Sequence, residues 1–254
     1  MCLVLVAHRA HPAYRLVVAA NRDEWFRRPT AAAAFWSDAP QVFAGRDLEQ
    51  NGTWLGVTTG GRFAAITNFR DPGSHLPDAP SRGRLVAEYL RTDVGPADYL
   101  AQLRPEASTY NGFSLLVGDG AALYYLSNRE GEIRELGPGV YGLSNHLLDV
   151  PWPKVRRGKA GLAGQLERCV NAETLLALLD NTRAAPDDEL PQTGVGTDWE
   201  RKLSSLRIVA GDYGTRSSTA LLVGADGQVC FVERSFGERG AETGRVSERF
   251  VLRP

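Results

Sequence analysis

Two apolar runs of β-forming residues open the chain, 3–7 and 14–20, separated by a short polar stretch, 8–13, that carries Pro12. Paired as adjacent antiparallel strands, they bring Cys2, at the start of the first, beside the polar cluster Asn21-Arg22-Asp23-Glu24 that closes the second. If Met1 is removed, as is usual before a small residue, Cys2 carries both a thiol and a free α-amine. Their reference pKa values, about 8.5 and about 7.7–8.0, let the amine accept the thiol proton near neutral pH. A threonine activated by its own N-terminus works the same way. A cysteine near a chain start is equally at home as a small buried hydrophobe, so the rest of the chain has to decide between the two.

Composition narrows the class. The 254 residues suit one domain spanning 1–254, with 43% apolar and 23% charged residues, as in a soluble globular protein. A net charge of −1 makes no case for nucleic-acid binding. Cys2, Cys169 and Cys230 show neither metal-ligand spacing nor a paired framework, so no metal is expected and the thiols suit a reducing compartment. The first apolar run is too short, and too interrupted by His8, Arg9 and His11, for a secretory signal. No run reaches the roughly 18–20 apolar residues of a membrane span. A cytoplasmic protein without stable membrane insertion is the expectation, with its oligomeric state left open.

Along the chain, 31–36 reads as a loop or edge segment, and 43–47 with Asn51-Gly52 as turn chemistry. Residues 53–58 and 62–67 form a hairpin around Gly60-Gly61, and 70–80 a proline-rich loop. Ser81 is a candidate cap for a helix reaching Arg91, and a second helix starts near Pro96. A hairpin at 112–126 and strands at 133–136 and 140–143 follow. Helices are expected at 154–168 and, after the cap-like Asn171, at 172–181. An acidic loop at 184–198 precedes strands at 207–210, 218–223, 228–233 and 246–251. Cys169 and Cys230 read as core. The order of strands, helix pair, strands, helix pair and strands points to two sheets with helices on their outer faces.

Four strand ends carry more polar chemistry than folding needs: 21–24, 67–70, 144–146 and 214–219. Asparagine is a poor strand former but can aim an amide N–H at a developing oxyanion. Arg216 can depress a thiol pKa or hold a carboxylate. Asn, Asp and Ser also end strands simply by bonding their own backbone. The cations Arg70, Arg82, Arg84 and Lys154-Val155-Arg156-Arg157 are candidate phosphate contacts or ordinary surface charges. His146 is the one histidine beside a candidate site residue.

Together these strings resemble the NRDE-motif family, also called the transport and Golgi organisation 2 family. The matching features are Met1-Cys2, 16–24, Arg28-Pro29, 52–56, 65–68, 110–113, 141–145, Pro151-Trp152 and 213–218, across nearly the whole chain. The resemblance implies an α+β fold similar to the N-terminal-nucleophile hydrolases: a four-layer α/β/β/α sandwich with two mostly antiparallel sheets between helix layers. A more distant likeness to bile-salt hydrolases and penicillin V acylases implies a catalytic set of Cys2, Asp23, Asn68, Asn145 and Arg216. Asn21, Arg22, Glu24, Arg70 and His146 are then the candidate binding residues. Those enzymes also carry an arginine a few residues before the aspartate, where this chain has Ala20 or Asn21.

Two functions fit. In the first, the chain is an N-terminal-cysteine hydrolase of a non-peptide amide or thioester bond, with a small-molecule acyl or amide substrate and no required cofactor. Cys2 attacks, its α-amine is the base, Asp23 orients the amine, Asn68 and Asn145 hold the oxyanion, and Arg216 supports the charge. In the second, the same pocket holds haem or an acyl-CoA without chemistry, a reading drawn from the haem-trafficking and acyl-CoA links of the resembled family.

Overall fold

The computed structural model of the protein describes residues 2–253. The opening hairpin forms as expected but with longer arms, β1 (Cys2–His11) and β2 (Tyr14–Trp25), so that the turn shrinks to Pro12-Ala13. Leu3, Leu5, Ala7, Val17 and Ala19 face one side of this pair, and Val4, Val6, Leu16, Val18 and Ala20 the other. Both faces are apolar because both are buried, which is why the runs look continuous rather than alternating.

The next strands are β3 (Thr30–Trp36), β4 (Ala39–Asp47), β5 (Leu55–Thr58) and β6 (Phe63–Asn68). After two helices come β7 (Phe113–Gly118), β8 (Leu123–Ser127), β9 (Ile133–Glu135) and β10 (Gly139–Leu143). Late in the chain are β11 (Val209–Ala210), β12 (Tyr213–Gly224), β13 (Gln228–Phe236) and β14 (Glu242–Val251). They form two antiparallel sheets. One has the order β10-β1-β2-β12-β13-β14 with β11 beside β12, and the other runs β3 through β9 in sequence.

Helices α1 (Gly83–Arg91) and α2 (Pro96–Leu103) cover the second sheet through Leu85, Val86, Tyr89, Leu90 and Leu100. Helices α3 (Pro153–Leu166) and α4 (Ala172–Leu179) cover the first through Val155, Leu162, Leu175 and Leu176. A third apolar cluster fills the space between the sheets, around Phe43, Phe63, Leu116, Tyr125 and Phe231. The result is the expected four-layer α/β/β/α sandwich. Among the described residues, no helix is long and apolar enough to cross a membrane.

Four local expectations are corrected. Residues 43–47 lie inside β4: Gly45 sits there because a Cβ would meet the Trp54 ring at 2.4 Å, a close-approach glycine rather than a turn glycine. Ser81 makes no side-chain cap to α1, whereas Asn171 and Thr174 form a reciprocal capping box on α4. The acidic loop runs into an unexpected helix, α5 (Thr197–Leu203), whose Leu203 packs with Tyr213, Trp25 and Trp199. Cys169 is exposed rather than core, Cys230 is half-buried, and Cys2, Cys169 and Cys230 are all free thiols.

Candidate active site

The β1–β2 register places Cys2 directly opposite Arg22. The half-buried Cys2 lines a cavity of about 290 Å³ with Arg22, Asp23, Glu24, Asn68 and Arg82. A neighbouring cavity of about 450 Å³ shares Asn68, His75, Arg82 and Asn111 with it. A larger hollow of about 850 Å³ lies on the outer face of β12–β14 and touches none of the expected site residues.

Asp23 is buried beside this cavity. Its Oδ1 accepts a hydrogen bond from the Thr215 hydroxyl at 2.7 Å, and its Oδ2 lies 3.9 Å from Nζ of Lys154. Lys154 enters on the first turn of α3, directly after Trp152-Pro153, and is only 1% exposed. It is therefore no part of a surface phosphate patch. Ala20 and Asn21 bring no charge to Asp23, and Lys154 reaches the carboxylate from α3.

Burial works against both charges of this pair. It pushes the Asp23 carboxyl up, opposed by Lys154, and pushes the Lys154 ammonium down to about 8, opposed by Asp23. Burial also pushes the Cys2 thiol up; the Asp23 charge adds to this, while a backbone hydrogen bond at Asp23 and the Arg22 charge oppose it. A thiol held in its neutral form needs a base in contact with it.

A second buried pair adjoins the first. Arg70, just past β6, donates through Nη1 to Glu200 Oε2 of α5 at 2.5 Å, with each side chain 4% exposed. Its guanidinium lies 4.7 Å from the centre of the Trp152 ring, and His146 packs between the Trp152 and Phe69 rings. Burial and the Arg70 charge both push the His146 imidazole down. Burial, with the Asp23 charge adding, pushes the nearby Tyr213 hydroxyl well above its usual value.

The remaining expected residues divide by what they touch. Asn68 lines both cavities, while Asn145, fully buried, donates through Nδ2 to the Asn68 carbonyl at 2.9 Å. Next to it, the Ser144 hydroxyl donates to the Cys2 carbonyl at 3.0 Å. Arg22 stacks 4.2 Å over the Trp54 ring and faces the cavity, as does Glu24.

Two others are turned to the frame. Asn21 donates to the Leu179 and Leu206 carbonyls and accepts from Ser218. It thereby satisfies an orphan carbonyl at the end of α4. Arg216, at the bulge in β12, donates through Nη1 to the carbonyls of Trp25, Phe26 and Arg28, fixing the segment after β2. The structure thus gathers Cys2, Arg22, Asp23, Glu24 and Asn68 around one cavity, backs it with Arg70, Asn145 and His146, and leaves Asn21 and Arg216 as supports. Lys154, Glu200 and Arg82 join the site. Arg82 lines both cavities and donates one hydrogen bond, to the Gly112 carbonyl, and burial pushes it down to about 10.

Comparison with known proteins agrees with this architecture. The family model described as Transport and Golgi organisation 2 matches residues 1–238. The chain is 40% identical to the Bos taurus Transport and Golgi organization protein 2 homolog, over 92% of this chain and 93% of that one. It is 38% identical to the Homo sapiens homolog, over 94% of each. Among solved structures, it is similar to a mutant conjugated bile acid hydrolase from Clostridium perfringens. The TM-score there is 0.54 at 7% identity, covering 99% of this chain and 92% of that one, a likeness of fold.

Proposed function

We propose a function on the footing that the chain belongs to the Transport and Golgi organisation 2 family: it hydrolyses a small non-peptide acyl amide or thioester, with Cys2 as nucleophile. The observation that carries this reading is that Cys2 lines a polar cavity together with Asp23 and Asn68, with the Asp23 carboxylate fixed behind it. Removal of Met1, which lies outside the described residues, frees the Cys2 α-amine. That amine takes the thiol proton as Sγ attacks the substrate carbonyl carbon. A carbon–sulfur bond forms, and the carbonyl π pair moves to oxygen, near the amides of Asn68 and Asn145. The tetrahedral species collapses by breaking the bond to the leaving nitrogen or sulfur, which takes the proton back from the α-ammonium. Water then enters by the same route, releases the acid and restores the thiol. Donors aimed at the oxyanion are worth about 10²–10³ in rate each.

The walls favour a compact, polar substrate. Arg22, Glu24, Arg28, Asp47 and Glu49 ring the cavity beside Cys2, and its volume of about 290 Å³ is at the small end of ligand sites. Haem fits poorly: Cys2 and His75 line the cavity and could ligate iron, but the surrounding wall is ionic rather than apolar. An anionic acyl ligand such as an acyl-CoA is the better second reading, because Arg82 faces both cavities. Incubating the protein with a panel of N-acyl amides and acyl thioesters, followed by acid quench and intact mass, tests hydrolysis. An acyl adduct on Cys2 that decays with product release supports it. Unmodified protein and no acid product across the panel contradict it.

A further inference from the structure

Lys154 is a buried cation beside a buried carboxylate. It is a lysine on the first turn of a helix, 1% exposed, and its Nζ has no hydrogen-bond partner among the described residues. Its nearest anion is Asp23 Oδ2 at 3.9 Å, while Asp23 Oδ1 is already fixed by Thr215. A buried ammonium carries a large desolvation penalty, which an anion beside it offsets. We propose that Lys154 is a positioning residue: its ammonium keeps Asp23 ionised and oriented, so that Asp23 can hold the α-ammonium that forms when the Cys2 amine takes the thiol proton. This rests on the reading of Cys2 as the nucleophile.

Titratable and charged groups from several elements surround the pair. Asp23 comes from β2, Cys2 from β1, Arg70 from the segment after β6, Glu200 from α5 and Tyr213 from β12. Arg70 is itself engaged by Glu200, and Lys154 brings its ammonium to 3.9 Å from Oδ2. Burial alone drives Asp23 toward its neutral form, and the Lys154 charge is the largest influence opposing it. Without Lys154, the Asp23 carboxyl is protonated at higher pH. A neutral carboxyl stabilises the ammonium far less, which outweighs the relief of Asp23's upward push on the thiol, and the pH at which Cys2 becomes reactive moves up.

The test is the rate of Cys2 carbamidomethylation by iodoacetamide from pH 5 to 9, followed by peptide mass in the Met1-free protein. Lys154→Met should slow Cys2 about 10-fold at pH 7, the factor that one pKa unit gives, with the rate recovering at alkaline pH. Lys154→Arg, which keeps the charge, should stay within about 3-fold of wild type, half a pKa unit. Asp23→Asn and Asp23→Asn/Lys154→Met should be slowed equally, because Lys154 acts through Asp23. The double variant has no unpaired buried ion and carries the test if Lys154→Met does not fold. A Lys154→Met profile superimposable on wild type, or a further 10-fold loss in the double variant over Asp23→Asn, overturns the role of Lys154 alone. A wild-type Cys2 no faster than Cys169 and Cys230 overturns the nucleophile, and Lys154's role with it.

Discussion

The Asn145 side-chain amide donates to the backbone carbonyl of Asn68 at 2.9 Å, and the Arg70 N–H returns a bond to the Asn145 carbonyl at 2.8 Å. Asn145 follows β10 in one sheet and Asn68 ends β6 in the other. The rim of the candidate site is therefore also a seam between the sheets, and the two functions of such a residue separate in experiment. Asn145→Ala leaves the Asn68 carbonyl unpaired and should lower unfolding free energy by about 1–3 kcal/mol in urea titrations. Acyl-enzyme formation should fall by about 10²–10³, far more than the stability loss explains while the protein stays folded. A stability loss with unchanged acylation removes Asn145 from the chemistry.

The Arg70–Glu200 pair is buried on both sides. Glu200→Gln removes the charge that faces the buried guanidinium and should cost about 3–5 kcal/mol by urea titration. Replacing both, as Arg70→Met/Glu200→Leu, should cost clearly less than either single change. Additive single-variant losses would mean that the two side chains stabilise the fold independently.

Lys154 also gives stability a pH signature. Its ammonium is pushed down to about 8 from 10.5, so between those values the folded protein holds fewer protons there than the unfolded chain. Linkage then makes this group's contribution to unfolding free energy rise with pH across that window. Wild type should gain about 2 kcal/mol relative to Lys154→Met between pH 8 and pH 10, read from paired urea titrations. A constant difference across that window would contradict a depressed lysine.

Arg82 faces both cavities and donates to the Gly112 carbonyl. It should draw anions toward Cys2. The ratio of Cys2 alkylation by iodoacetate to that by iodoacetamide should fall about 10-fold in Arg82→Gln, the size of a lost hydrogen bond to a charged group. The wild-type ratio should also drop as salt is raised. Equal ratios in both proteins would place anion recognition elsewhere.

The opening hairpin, the placement of Cys2 beside the 21–24 cluster and the helix capped by Asn171 were legible because each rests on local pattern: apolar runs, a short turn, a cap residue. Lys154 was not legible. It sits in a Lys-Val-Arg-Arg string that looks like surface, and only the distant Asp23 makes its burial tolerable. Glu200 was missed with its helix, a seven-residue element that follows Gly196 at φ 83 and lacks an extended apolar period. The sequence marks Arg216 as a charge that could support the thiolate, but it does not show that its guanidinium is taken up by three backbone carbonyls. Polar residues at strand ends mark where the candidate site lies. Which of them face the cavity depends on strand parity and bulges, and only the three-dimensional register fixes these.

The most direct test of Cys2 as an N-terminal nucleophile is the intact mass of the purified native protein before and after brief iodoacetamide treatment, with the adduct mapped by peptide mass. The account predicts a chain lacking Met1 that takes up one fast adduct on Cys2, ahead of the exposed Cys169. Retained Met1, or a Cys2 no faster than Cys169 and Cys230, would contradict it.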